Sequence, residues 1–130
     1  MAKVSLGYCN TYEIEKVKKA LNEGIDNIGG IDLYINPGDK VLLKVNLLMK
    51  KLPEEATTTH PVFVKALAEI LSEQGAIVII GDSPGGLFNE RALRNVYRGS
   101  GYEDLHDENK NIFLNYNVNE ATVSSDHLYL

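Results

Sequence analysis

The sequence predicts an α/β fold: three layers, a mostly parallel sheet with helices on both faces, and an antiparallel hairpin as an option at the C-terminal end. Three observations carry this. Short apolar, β-branched runs alternate with segments whose apolar residues recur at helical spacing. Glycine and proline punctuate nearly every junction. The runs "KVLLKVNLL" (40–48) and "AIVIIGD" (76–82) are apolar at almost every position, as strands of a parallel sheet covered on two sides are.

The elements follow in order. "KVSLGY" (3–8) reads as a first strand. Asn10 or Thr11 then caps a helix, with Glu13 at capping-box distance from Asn10. Ile14, Val17, Leu21, Ile25 and Ile28 share one helical face, and Gly29-Gly30 stops it. "INPGDK" (35–40) places Pro37 before Gly38, the order of a type II turn. The run 40–48 follows, interrupted only by Lys44 and Asn46, which have the same parity and so share a face. A loop over 50–61 leads to a helix started by Thr59 or His60, with Pro61 in its first turn, where a missing N–H costs nothing. Phe63, Ala66, Leu67, Ile70 and Leu71 form its stripe and Gly75 ends it. The strand 76–82 comes next, then a helix within 87–101 capped by Asn89, with Leu93, Val96 and Tyr97 inward. "NIFLNYN" (111–117) reads as a further strand, and "EATVSS" and "DHLYL" as candidates for the hairpin.

Bulk properties narrow the function. One domain of 130 residues is expected, 44% hydrophobic and 24% charged, with a net charge of −5. That charge disfavours a nucleic-acid partner, which needs a basic face. The start "MAKVSLGYCN" has no signal-peptide core, and no apolar run approaches a membrane span, so no membrane partner and a cytoplasmic location are the default expectation. Cys9, the single cysteine, lies in an apolar run and is expected to be buried; one cysteine makes neither an internal disulfide nor an iron–sulfur cluster in this chain. The apolar finish "HLYL" suggests a piece of a longer protein, or a last strand that pairs with something. Partners are then a C-terminal remainder or a second copy, besides a small anionic ligand.

Ligands of open α/β sheets bind beyond the carboxyl ends of the strands. There the polar exceptions collect. Lys44 and Asn46 end one strand, Thr59 and His60 start a helix, and Asp82 leads into Ser83, Pro84, Gly85 and Gly86. Two helix N-termini with free N–H groups favour an anion. "GDSPGG" is neither a Walker loop nor a dinucleotide fingerprint, and no G-x-S-x-G elbow surrounds Ser83. Lys44, Asn46, Thr59, Ser83, Gly85 and Gly86 are therefore candidate ligand contacts, with His60 and Asp82 as candidate acid–base groups. The bland readings are an edge strand that exposes Lys44, or a structural Lys44–Asp82 pair. No metal ligands are assigned; His106 with Asp104, Asp107 and Glu108 reads as a solvated acidic loop.

"VLLKVNLL" followed by "TTTHPVFVKALAEILSEQGAIVIIGDSPGG" resembles the family catalogued as domain of unknown function 362. The likeness covers roughly 40–100 and implies an α/β domain of unestablished activity. Larger members carry ferredoxin-like cysteine clusters and are labelled iron–sulfur proteins, a feature absent here. It also implies that this chain is the N-terminal part of a longer family domain. A fainter likeness links the Thr-His-Pro helix start to the N-terminal domain of nickel-pincer lactate racemases, where an arginine stands at the position of His60. Three functions stay open: anion binding at the sheet edge, one lobe of a metal- or iron–sulfur-associated redox or racemase-like enzyme, and a structural or interaction domain.

Overall fold

A computed structural model describes residues 2–84 and 89–118. Three helices and three strands alternate: α1 (Ile14–Asn27), β1 (Lys40–Lys44), α2 (Pro61–Glu73), β2 (Ile77–Gly81), α3 (Glu90–Gly99) and β3 (Ile112–Leu114). Short 3-10 turns at Ile31–Leu33, Pro53–Glu55, Glu103–Leu105 and Glu108–Lys110 join them. The strands form one open parallel sheet in the order β1-β2-β3. The α/β class read from the sequence holds.

The register explains which side chains meet. Val41 pairs with Val78 and Val78 with Ile112; Leu43 pairs with Ile80 and Ile80 with Leu114. These residues point to one face, where they pack with Val64, Ala68 and Leu71 of α2 and Leu93 and Tyr97 of α3. A sheet whose spatial order follows its sequence order makes both right-handed crossovers in the same direction, so both connecting helices land on one face. Among the described residues the helices accordingly cover this face, and they form no second layer on the other.

Helix α2 is buried on two sides. Ala66, Glu69 and Ile70 are buried outside the sheet-facing cluster. Lys18 of α1 reaches Glu69 at 3.4 Å and Glu73 at 2.7 Å, and Lys110 reaches Glu69 at 2.8 Å. The reading of 40–48 as a fully covered central strand is corrected: among the described residues β1 lies at the edge of the sheet, and Lys40, Leu42 and Lys44 are exposed. The type II turn is formed, with Gly38 at φ +90° and the Asp39 N–H donating to the Asn36 carbonyl at 3.1 Å.

Residues 3–8 form no strand. They lie beside α1, where the Asn27 amide donates to Ser5 Oγ at 3.3 Å. Val4, Leu6 and Tyr8 are 85%, 95% and 87% exposed. Their alternation is a strand pattern, but a strand needs a neighbour for its N–H and C=O groups, and no described segment supplies one. Cys9 is exposed rather than buried, its thiol donating to the Thr11 carbonyl at 3.3 Å. Helix α1 starts three residues later than the capping-box reading placed it. Glu13 is its N-cap, and the Thr11 hydroxyl accepts from the Glu13 N–H at 3.1 Å. The antiparallel C-terminal hairpin is not supported: its segments, 120–130, lie outside the described residues, within which the antiparallel contact found is the isolated bridge Asp107–Ile112.

Candidate functional site

At the carboxyl edge of the sheet each strand ends in a polar side chain. β1 ends on Lys44, whose register partner is Gly81, so Asp82 lies one residue beyond that pairing. The Lys44 ammonium lies 3.3 Å from Asp82 Oδ1 and donates to Asn46 Oδ1 at 2.6 Å. The two ends of the pair differ in exposure: the Lys44 side chain is 64% accessible and that of Asp82 10%. Asn46 holds this position by adopting the left-handed conformation, φ +54°, which short polar side chains tolerate. Its neighbours Val45 and Leu47 are buried, which anchors the turn in the core. With Oδ1 occupied by Lys44, the Asn46 NH₂ group is left to donate.

Asn115 directly follows β3, and sequence reasoning missed it. Its N–H donates to the Ile80 carbonyl at 2.8 Å. Its Cβ would lie 2.9 Å from a Cβ added to Gly81, so Gly81 is required for close strand packing. The signal was available: an asparagine follows the apolar runs of both β1 and β3. Beneath the edge, the buried Tyr97 hydroxyl donates to the Asn115 carbonyl at 2.8 Å. Burial, with the charge of Asp82 adding, pushes this phenol well above its ordinary value, so it is a fixed donor.

The start of α2 differs from the expectation. His60 is its N-cap, and Nδ1 accepts from the Val62 N–H at 3.2 Å. The Phe63 and Val64 N–H groups go to the His60 carbonyl at 3.0 and 3.2 Å, and Pro61 has none. This helix terminus therefore supplies no unused backbone donor, and the expectation of free N–H groups there is corrected. Burial lowers the His60 pKa, against a smaller opposite effect of Glu54, so the ring is neutral at pH 7. An imidazole that accepts at Nδ1 carries its proton on Nε2, which makes His60 a donor rather than a base there. Tyr12 stacks on it at 3.5 Å with planes 11° apart, a contact absent from the sequence reading.

Thr59 is half-buried, and its carbonyl accepts from the Tyr102 hydroxyl, which burial pushes up to about 12. Ser83 is exposed. Gly85 and Gly86 lie outside the described residues. Lys44, Asn46 and Asp82 are brought together, whereas no hydrogen bond, ion pair or ring contact among the described residues joins His60 to them. His106 lies 3.5 Å from Glu108 and packs edge-on against Phe113 at 5.7 Å. No group of three or more His, Cys, Asp or Glu among the described residues is placed to share a metal ion. A groove of about 700 Å³ runs between residues 3–12 and α1, lined by apolar residues such as Leu21, Ile25, Ile28 and Phe63, with Tyr12, the residue stacked on His60, also in its wall.

Residues 41–128 match the family described as a domain of unknown function, DUF362. The chain belongs to this family. The matched span contains the whole Lys44–Asn46–Asp82 cluster and excludes α1. Over 102 residues the chain is 35% identical to the thylakoid-associated protein sll1697 of Synechocystis sp.. That match takes in 78% of this chain and 30% of the relative's length. No solved structure matches, and the likeness to lactate racemases is not confirmed. Among the described residues no helix is long and apolar enough to cross a membrane.

Proposed function

We propose that this DUF362 domain is cytoplasmic and binds a small anionic ligand at the carboxyl edge of its sheet. The single observation behind the reading is the half-open ion pair. Asp82 is sunk at the strand end and fixes an ammonium whose head remains accessible, with an asparagine amide beside it. An ammonium has three protons, and the contacts to Asp82 and Asn46 use two. The third proton and the Asn46 NH₂ group form a donor-only surface suited to a phosphate or carboxylate oxygen. His60 Nε2 and Ser83 would supply further donors from the two loops that leave the same edge, and Gly85 and Gly86 would allow close approach. Because the first amides of α2 are already bonded, the reading rests on side-chain donors and not on that helix's N–H groups.

The test is thermal stability against added inorganic phosphate, citrate and a nucleoside monophosphate. A ligand at ten times its Kd stabilises by about 1.4 kcal/mol, which moves Tm by a few degrees in a domain of this size. The shift should vanish in Lys44→Met and persist in Lys40→Met, which removes an exposed amine from the same strand. Persistence in Lys44→Met, or no shift with any of the three anions, would overturn the reading.

A further inference from the structure

The two faces of the sheet are unequal. One carries the core. On the other, Leu42, Ile79 and Phe113 form a row in register across all three strands, with Ile77 beside them. None of these four belongs to the core cluster; Leu42 is 61% exposed, while Ile77, Ile79 and Phe113 are half-buried, with His106 edge-on against Phe113. A sheet with one face in water alternates apolar and polar residues. β2 does not: Ile77 and Ile79 point outward as Val78 and Ile80 point inward, so the sequence is written for burial on both sides. The chain's own topology cannot supply the cover from α2 or α3, because both crossovers run the same way.

We propose that this open face docks a helical layer whose apolar stripe is edged by acidic side chains. The occupant is polypeptide of the kind that the longer Synechocystis relative carries outside the segment matched here. Two observations select it. The matched segment is 30% of the relative's length, which leaves ample chain for a second layer. Of the outward lysines beside Leu42, Lys44 is met by Asp82, but Lys40 has no ion-pair partner among the described residues, so an uncompensated amine edges this face in a chain whose net charge is −5. A second copy stacked face to face would set lysine against lysine, whereas an acidic-edged helix would not. Three strands at about 4.8 Å spacing, two of them five residues long and β3 three, offer a strip that one or two helices, packed about 10 Å apart, would cover.

Single cysteines at Leu42 or Ile79 in a Cys9→Ser background give the test, with a third at exposed Lys19 as reference. Maleimide labelling is compared between the chain alone and a chimera continued by the unmatched polypeptide of the Synechocystis protein. Labelling at positions 42 and 79 should slow at least tenfold in the chimera and stay unchanged at 19. Lys40→Glu should restore part of the reactivity if acidic edges hold the layer. An insoluble chimera is replaced by the same polypeptide added in trans, read by the same labelling. Unchanged reactivity at 42 and 79 overturns the proposal. So does protection already present in the chain alone together with a dimer mass by light scattering, which would give the face to a second copy. Phosphate binding is read at Lys44 and docking at 42 and 79, so either can fail without the other.

Discussion

Two acid–amine clusters in this domain use the same chemistry in opposite ways. At Glu69 the carboxylate is the centre. Its side chain is 11% accessible, and lysines from two distant parts of the chain, Lys18 and Lys110, converge on it. At Asp82 the carboxylate is equally sunk, but it meets one lysine, and that lysine faces out. The first arrangement ties α1, α2 and the turn before β3 together, with each oxygen of its acid held by an amine. The second leaves donors unspent at a sheet edge. The presence of an ion pair says little about role; which partner is buried, and whether both are saturated, separates a clamp from a candidate site.

The largest effect is expected at the clamp. Glu69→Ala should cost about 2–3 kcal/mol, because the two amines lose the acceptor that draws three segments together. Denaturant unfolding checks it. The clamp also has a pH signature. Burial raises the Glu69 pKa, but the hydrogen bonds and charges of Lys110 and Lys18 outweigh it, so the net shift is downward from 4.5. A carboxylate with a depressed folded pKa contributes stability above its unfolded value and loses it as pH falls through the folded one. Stability should therefore fall below about pH 4.5, and Glu69→Gln should show a shallower acid slope than the parent.

Next in size is Tyr97→Phe, at about 1–2 kcal/mol, because the Asn115 carbonyl loses its donor beneath the open cluster. If that edge is held from below, anion binding should weaken along with stability. A smaller effect is expected at His60. Its pKa is lowered from 6.5, so protonation is disfavoured in the fold; stability should decline as pH falls below about 6.5 and the cap is lost. His60→Asn keeps a cap acceptor and should remove that decline while leaving stability at pH 7.5 within about 0.5 kcal/mol. Thermal melts from pH 5 to 8 decide it. Lys44→Met should cost no more than about 1 kcal/mol, well short of Glu69→Ala, since the sunk Asp82 loses its amine but the ammonium end of the pair lies in solvent. A loss as large as that of Glu69→Ala would make the edge pair a second clamp and erase the comparison.

The parts that local chemistry governs were legible in the sequence. Pro37-Gly38 dictates its turn, His60-Pro61 its helix start, Asn89 its cap, and the 3.6-residue spacing of the helices needs no partner to be read. Lys44 and Asp82 were readable as a pair because each interrupts or ends an apolar run at a strand terminus. What was not legible depends on neighbours distant in the chain. Residues 3–8 have a strand's alternation without a strand's partner. Cys9 looks buried only if that strand exists. Lys44 looks central only if β1 has a strand on both sides. The saturation of the α2 terminus was hidden because a histidine ring rather than a ligand completes it. Asn115 mattered only once β3 was seen to press it against Gly81.

The most direct test observes the side-chain amines themselves. The ¹H–¹⁵N signals of the lysine ammonium groups can be followed by NMR while inorganic phosphate is added at constant ionic strength. The account predicts saturable shifts of Lys44 Nζ and of the Asn46 side-chain amide, with Lys18 and Lys110 unmoved. Equal drift of all lysines, or a silent Lys44, would contradict it.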